Sequence, residues 1–100
     1  MTTRYKITRH DAEGNPTLSL GECQNFFATQ SDFEYNDSFR ASQDGVHMKI
    51  NGHFFMWQLE DAQVPFRFFE NEIYVAVSDK AILEKAMEVA RKLEANYIEG

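Results

Sequence analysis

From Phe33 to Glu60 the chain alternates apolar and polar residues, broken at two dipeptides, Asp44-Gly45 and Asn51-Gly52. Both are two-residue hairpin signals, because the turn that matches strand twist needs positive φ at its central positions, which Asn, Asp and Gly tolerate best. The stretch therefore predicts three antiparallel strands that the rest of the chain has to cover. A two-residue turn also fixes register. Asp44-Gly45 sets Ala41 opposite Met48 and Phe39 opposite Ile50, while Asn51-Gly52 sets Ile50 opposite His53, Met48 opposite Phe55 and Val46 opposite Trp57. Side chains alternate between faces along a strand, and the two registers agree on an apolar face. It holds Phe33, Tyr35, Phe39, Ala41, Val46, Met48, Ile50, Phe55, Trp57 and Leu59, interrupted by Asp37 and His53. The other face is polar, as for a sheet with one side in water. There Phe54 and Met56 are expected exposed among Arg40, His47 and Lys49, as a candidate interaction surface.

Upstream, Arg4 to Arg9 alternates as a first strand, and Asp11 to Pro16 reads as a loop. Ser19 with Glu22 three residues on is a capping-box pattern, followed by Leu20, Cys23, Phe26 and Phe27 on one helical face. Downstream, Glu60-Asp61-Ala62-Gln63 reads as a polar connection. Val64 to Phe69 and Glu72 to Val77 alternate in matched parity about Glu70-Asn71, setting Phe68 opposite Ile73, Phe66 opposite Val75 and Val64 opposite Val77, with Arg67 and Tyr74 sharing the other face. Ser78 is expected to cap a last helix, with Asp79 in its first turn, that buries Ile82, Leu83, Ala86, Val89, Ala90 and Leu93. Asn96 is expected to stop that helix in a left-handed conformation, leaving Tyr97 and Ile98 to extend a sheet edge. The elements read β-α-β-β-β-β-β-α, an α+β two-layer sandwich in which two helices pack on one face of a mainly antiparallel sheet.

One hundred residues are enough for a single core, so residues 1–100 read as one domain. The chain has 16 acidic residues against 10 basic, a net charge of −6, which disfavours direct binding to a phosphate backbone and makes a basic partner the better match. Cys23 is the only cysteine, which excludes an internal disulfide and fits a reducing compartment. The N-terminus has no apolar leader-like run and no stretch is apolar enough to span a bilayer, so a cytoplasmic location is expected.

No motif carries recognisable chemistry. The predicted registers put His47 and His53 back to back, unable to share a metal ion, and His10 stands alone. Asp37 and His53 are the candidate rim of a pocket between sheet and helices, as orienter and base. No metal site, cofactor or catalytic residue is expected. The composition points to a non-enzymatic protein-interaction or inhibitor-type module, with a protein partner or a homodimer. The alternatives are a small ligand-binding protein or enzyme with a pocket near His53, and a structural subunit of a larger assembly.

Overall fold

The computed structural model describes residues 3–60 and 62–100, with Ala41 and Gln43 by their backbone alone. Six strands, β1 (Thr3–Thr8), β2 (Phe33–Gln43), β3 (Val46–Leu59), β4 (Ala62–Phe69), β5 (Glu72–Val77) and β6 (Asn96–Glu99), form one sheet in the order β2-β3-β4-β5-β1-β6. Every pairing is antiparallel. Helices α1 (Leu20–Ala28) and α2 (Lys80–Lys92) cover one face, so the chain is an α+β two-layer sandwich. The chain order is β-α-β-β-β-β-α-β, which differs from the expectation at two points. The stretch from Val46 to Leu59 is a single strand, and the edge addition expected of Tyr97 and Ile98 forms as a strand of its own after the last helix.

The first difference arises at Asn51-Gly52, which does not turn. Asp44 and Gly45 adopt the positive φ of a tight hairpin, at 53° and 78°, whereas neither Asn51 nor Gly52 has positive φ. Pairing instead runs Asn36↔Phe54 and then Ser38↔Asn51, so Gly52 and His53 stand against Asp37 alone as a β-bulge. Long-range burial overrides the local turn preference here. Running straight through lets Phe55 and Trp57 pair with Tyr35 and Phe33. It also stacks Phe55 against Phe27 of α1 with ring centroids 4.3 Å apart. Of the expected registers, Ala41↔Met48 and Phe39↔Ile50 hold, and the three set by Asn51-Gly52 do not.

The bulge also divides the expected apolar face. Phe33, Phe55, Trp57 and Leu59 pack under the helices with Val64, Phe66, Ile73, Val75, Val77 and Ile7. Beyond the bulge, Phe39 meets the ring of Phe54 at 5.6 Å, on the side away from the helices. Val46 and Met48 are 60% and 54% exposed, because the hairpin outruns the helices. This projection gives the molecule its 47 × 27 × 27 Å proportions. The expected facing of the Ala41 side chain, the Asp61 part of the connection and the first two residues of the N-terminal reading lie outside what is described.

Glu70-Asn71 turns as expected, with φ of 49° and 63°. The Asn71 side-chain amide donates to the Leu18 carbonyl at 2.7 Å, a tertiary contact that secures an otherwise poor turn sequence. Phe66↔Val75 and Phe68↔Ile73 pair as predicted.

Ser19 caps α1 and its Oγ accepts from the Glu22 N–H at 3.1 Å, but the Glu22 carboxylate turns outward to Arg9 instead of closing the capping box. Arg9 donates to both Glu22 oxygens, to Thr17 Oγ1 and O, and to the Leu93 carbonyl at the end of α2. One guanidinium thus joins the end of β1, the loop and both helices. The Glu22 carboxyl is held below its ordinary pKa by this hydrogen bond.

The cap of α2 is Asp79 rather than Ser78: its Oδ1 accepts from the Ile82 N–H at 3.0 Å. A carboxylate one position closer offers charge as well as an acceptor to the helix N-terminus. The helix ends at Glu94, φ 55°, not at Asn96. Ala95 N–H bonds the Ala90 carbonyl and Glu94 N–H the Arg91 carbonyl, a Schellman closure with glutamate where glycine is usual. Asn96 is then free to start β6 against β1.

Candidate ligand groove and hairpin arm

The predicted site residues do not converge. His47 and His53 lie on the same strand, not back to back on neighbouring strands as the false turn implied, and six residues separate them by about 20 Å. That distance, not opposite facing, keeps them off a common ion. Among the described residues no group of three or more His, Cys, Asp or Glu side chains is placed to hold a metal. His53 takes Tyr35 as its partner, with Nδ1 2.7 Å from the phenol oxygen and the rings stacked. No hydrogen bond joins it to Asp37 among the described residues; Asp37 lines a shallow depression with Asn36, Phe39, Arg40 and Met56. His10 sits 3.4 Å from Thr8 Oγ1. Cys23 is fully buried, and burial pushes its thiol pKa up to about 12, so it is a core residue and a poor nucleophile.

Between α1 and the sheet edge lies an apolar cleft of about 240 Å³ lined by Gln24, Phe27, Ala28, Phe33, Tyr35 and Phe55. Its floor consists of core rings, with Gln24 and the Tyr35 hydroxyl as the polar groups.

The open face of the sheet carries more chemistry. Phe54, Arg67, Tyr74 and Lys6 form a transverse row across β3, β4, β5 and β1. The Arg67 guanidinium carbon lies 5.6 Å from the Phe54 ring centroid and 4.9 Å from that of Phe69, so two aromatic rings fix its plane. Its Nε is buried with no hydrogen-bond partner. Phe54 and Met56 are buried to 4% each, not exposed as expected. Phe39 folding back past the bulge and Arg67 stacking from β4 supply cover for Phe54 that strand alternation alone does not foresee.

These residues bound a groove of about 390 Å³, lined also by Arg4, Pro65, Phe69 and Tyr74. The nearby carboxylate, Glu72, is engaged by Lys6 at 3.5 Å and by the Tyr74 hydroxyl at 3.0 Å. Burial pushes the Glu72 carboxyl up, but hydrogen bonds from Thr8 and Tyr74 and the Lys6 charge outweigh it and leave the pKa below the ordinary value. Arg4 and Arg67 have no ion pair among the described residues. A chain of net charge −6 therefore presents positive charge over an apolar floor on this face. Parity about Glu70-Asn71 already placed Arg67 beside Tyr74 in the sequence; its clamping between two phenylalanines needs the tertiary fold.

The projecting end of the β2–β3 hairpin holds the other three interaction candidates. Arg40 pairs with Lys49 and Ser42 with His47 across the hairpin, and these four with Met48 line a shallow concavity of about 310 Å³.

Comparison with protein-family models, with curated proteins and with solved structures finds no match to this chain.

Proposed function

We propose that this chain is a non-enzymatic protein-interaction module that docks its partner through the β2–β3 hairpin arm. The observation that carries the reading is the arm itself. It projects past the helices, leaves Val46 and Met48 more than half exposed, and gathers Arg40, His47 and Lys49 with Met48 around one concavity. Exposed apolar side chains with a cluster of basic groups close by suit an interface in which burial supplies affinity and charge supplies orientation. The partner that fits the local charge of the arm is a protein surface that is acidic and partly apolar, in place of the basic partner that the net charge alone suggested. A second copy of this chain, at net charge −6, meets the charge requirement, so a homodimer is the second form of the same reading. The net charge argues against a nucleic-acid partner. One buried, unpaired cysteine suits a cytoplasmic setting. Among the described residues no helix is long and apolar enough to cross a membrane.

The test is the native mass of the purified protein and of complexes captured on a tagged chain, compared with two arm variants. Val46→Asp with Met48→Asp removes the apolar contact, and Arg40→Glu with Lys49→Glu inverts the charge. Each is expected to weaken association by about tenfold or more, the usual cost of losing an interface anchor. Complexes that survive both variants, with circular dichroism unchanged, refute docking through the arm.

A further inference from the structure

The open-face groove is separate from the hairpin arm and calls for a different occupant. We infer that it binds a small carboxylate with an aromatic or bulky apolar body, anchored at Arg67. The anchor is partly held in place: its guanidinium carbon sits 5.6 and 4.9 Å from two ring centroids and its Nε is buried, so less side-chain freedom remains to be lost on binding than for a free surface arginine. A methyl group built on Gly52 would stand 3.7 Å from Nε and 3.4 Å from the Phe54 ring, so Nε looks toward the strand backbone. The two terminal Nη groups are left as a planar fork, the geometry that accepts a carboxylate through two parallel hydrogen bonds. Arg67 has no hydrogen-bonded or ionic partner among the described residues, so beyond its contact with the two rings its charge is uncommitted.

The surroundings select the rest of the ligand. Arg4 adds a second positive charge without a carboxylate partner, while Glu72 is taken up by Lys6 and Tyr74. The apolar lining comes from Phe39, Phe54, Pro65, Phe69 and the Tyr74 ring. A volume of about 390 Å³ lies within the range of small-molecule sites. An extended peptide fits less well. Phe39 comes from the edge strand β2, but the strands that form the floor, β1, β3, β4 and β5, each have neighbours on both sides. Their backbone groups are committed to the sheet, and a peptide main chain laid across them would leave its own polar groups unpaired. A ligand whose polarity is confined to one anionic end avoids that cost.

The experiment titrates the isotopically labelled protein with sodium 2-naphthoate and, separately, with neutral 2-naphthalenemethanol, following backbone amides and the arginine Nε–H signals by NMR. The expected result is saturable shifts at Phe54, Arg67, Phe69 and Tyr74, with the carboxylate bound about tenfold or more tightly than the alcohol. Arg67→Met, which keeps the apolar stem, is expected to abolish that preference, and Arg4→Met to reduce it severalfold. Equal affinity for the two probes, shifts that map outside the groove, no saturable shift, or a preference surviving both substitutions would each overturn the inference. The arm variants Val46→Asp and Met48→Asp are expected to leave naphthoate binding unchanged. Loss of partner docking and loss of the carboxylate site are therefore read independently.

Discussion

Replacing Arg9 by alanine removes the one side chain that touches β1's exit, the following loop, the start of α1 and the end of α2. Three contributions set the magnitude. The Arg9–Glu22 pair is partly exposed, with side-chain exposures of 25% and 39%, so screening holds it to about 0.5–1 kcal/mol despite the two-pronged contact. The Nη1 bond to the Leu93 carbonyl, at 2.8 Å, is charge-assisted and sits at a residue only 4% exposed, so its loss strands an acceptor and costs about 1.5–3 kcal/mol. The two contacts to Thr17 are exposed and add a few tenths of a kcal/mol. Arg9→Ala is thus expected to lose about 3 kcal/mol, a fall in Tm of roughly 10–20 °C for a domain of this size. Arg9→Lys keeps the charge but cannot serve three acceptors at once, and is expected to lose about half as much. Urea denaturation followed by Trp57 fluorescence and by far-ultraviolet circular dichroism measures both. A loss below about 0.5 kcal/mol for alanine, or lysine indistinguishable from arginine, would refute the view that one guanidinium ties the elements together.

Other outcomes follow from the same contacts. Gly45→Ala, at φ 78°, is expected to cost about 1–2 kcal/mol, whereas Gly52→Ala, in extended backbone with ordinary contacts around the new methyl, should stay within about 0.5 kcal/mol; equal costs in urea melts would restore the turn at Asn51-Gly52. Glu94→Gly relieves a left-handed glutamate at φ 55° and is expected to raise stability by about 0.5–1 kcal/mol, seen as a higher Tm. Burial pushes the Asp32 carboxyl up, but Lys85 at 2.8 Å and the Trp57 indole N–H at 3.0 Å outweigh it and leave its pKa depressed. A depressed carboxyl stabilises the fold above its unfolded pKa and loses that contribution as pH falls through the folded value, so stability should drop below about pH 4, and Asp32→Asn should flatten that acid limb in urea melts taken from pH 7 to 3. Cys23, with its thiol pKa pushed up to about 12 and no exposure, should react with a thiol reagent only as fast as the protein opens; stoichiometric labelling of the native protein within seconds would contradict its burial.

The elements that could be read from the sequence are those whose cause is local. The spacing of Ile82, Ala86, Val89 and Ala90 specifies the buried stripe of α2 without reference to any neighbour. The alternation about Glu70-Asn71 does the same for β4 and β5. Asn51-Gly52 failed because a turn signal is a preference worth little beside the burial of Phe55 and Trp57 against Phe27, Phe33 and Tyr35, residues distant in sequence. That turn displaced His47 and His53, whereas the exposure expected of Phe54 and Met56 came from alternation alone, which does not register the cover that Phe39 and Arg67 give Phe54. The groove was half visible. Parity put Arg67 with Tyr74, but Phe39 reaches that face only because the bulge reverses the facing of the outer hairpin, and a bulge has no sequence signature as sharp as a turn's. Arg9 gave no signal at all, since its acceptors come from positions 17, 22 and 93.

β1 lies between β5 and β6, so both of its sheet neighbours are supplied by residues distant from it in sequence, 72–77 and 96–99. Strands β2 to β5 pair across short connections, whereas β1 has no sheet partner nearer in sequence than β5. Docking of β1 is therefore a long-loop event that carries the entropic cost of closing some seventy residues, and its far side is sealed only by β6. On loop length alone the sheet is expected to condense from β2–β5 outward, with β1 and β6 joining after them.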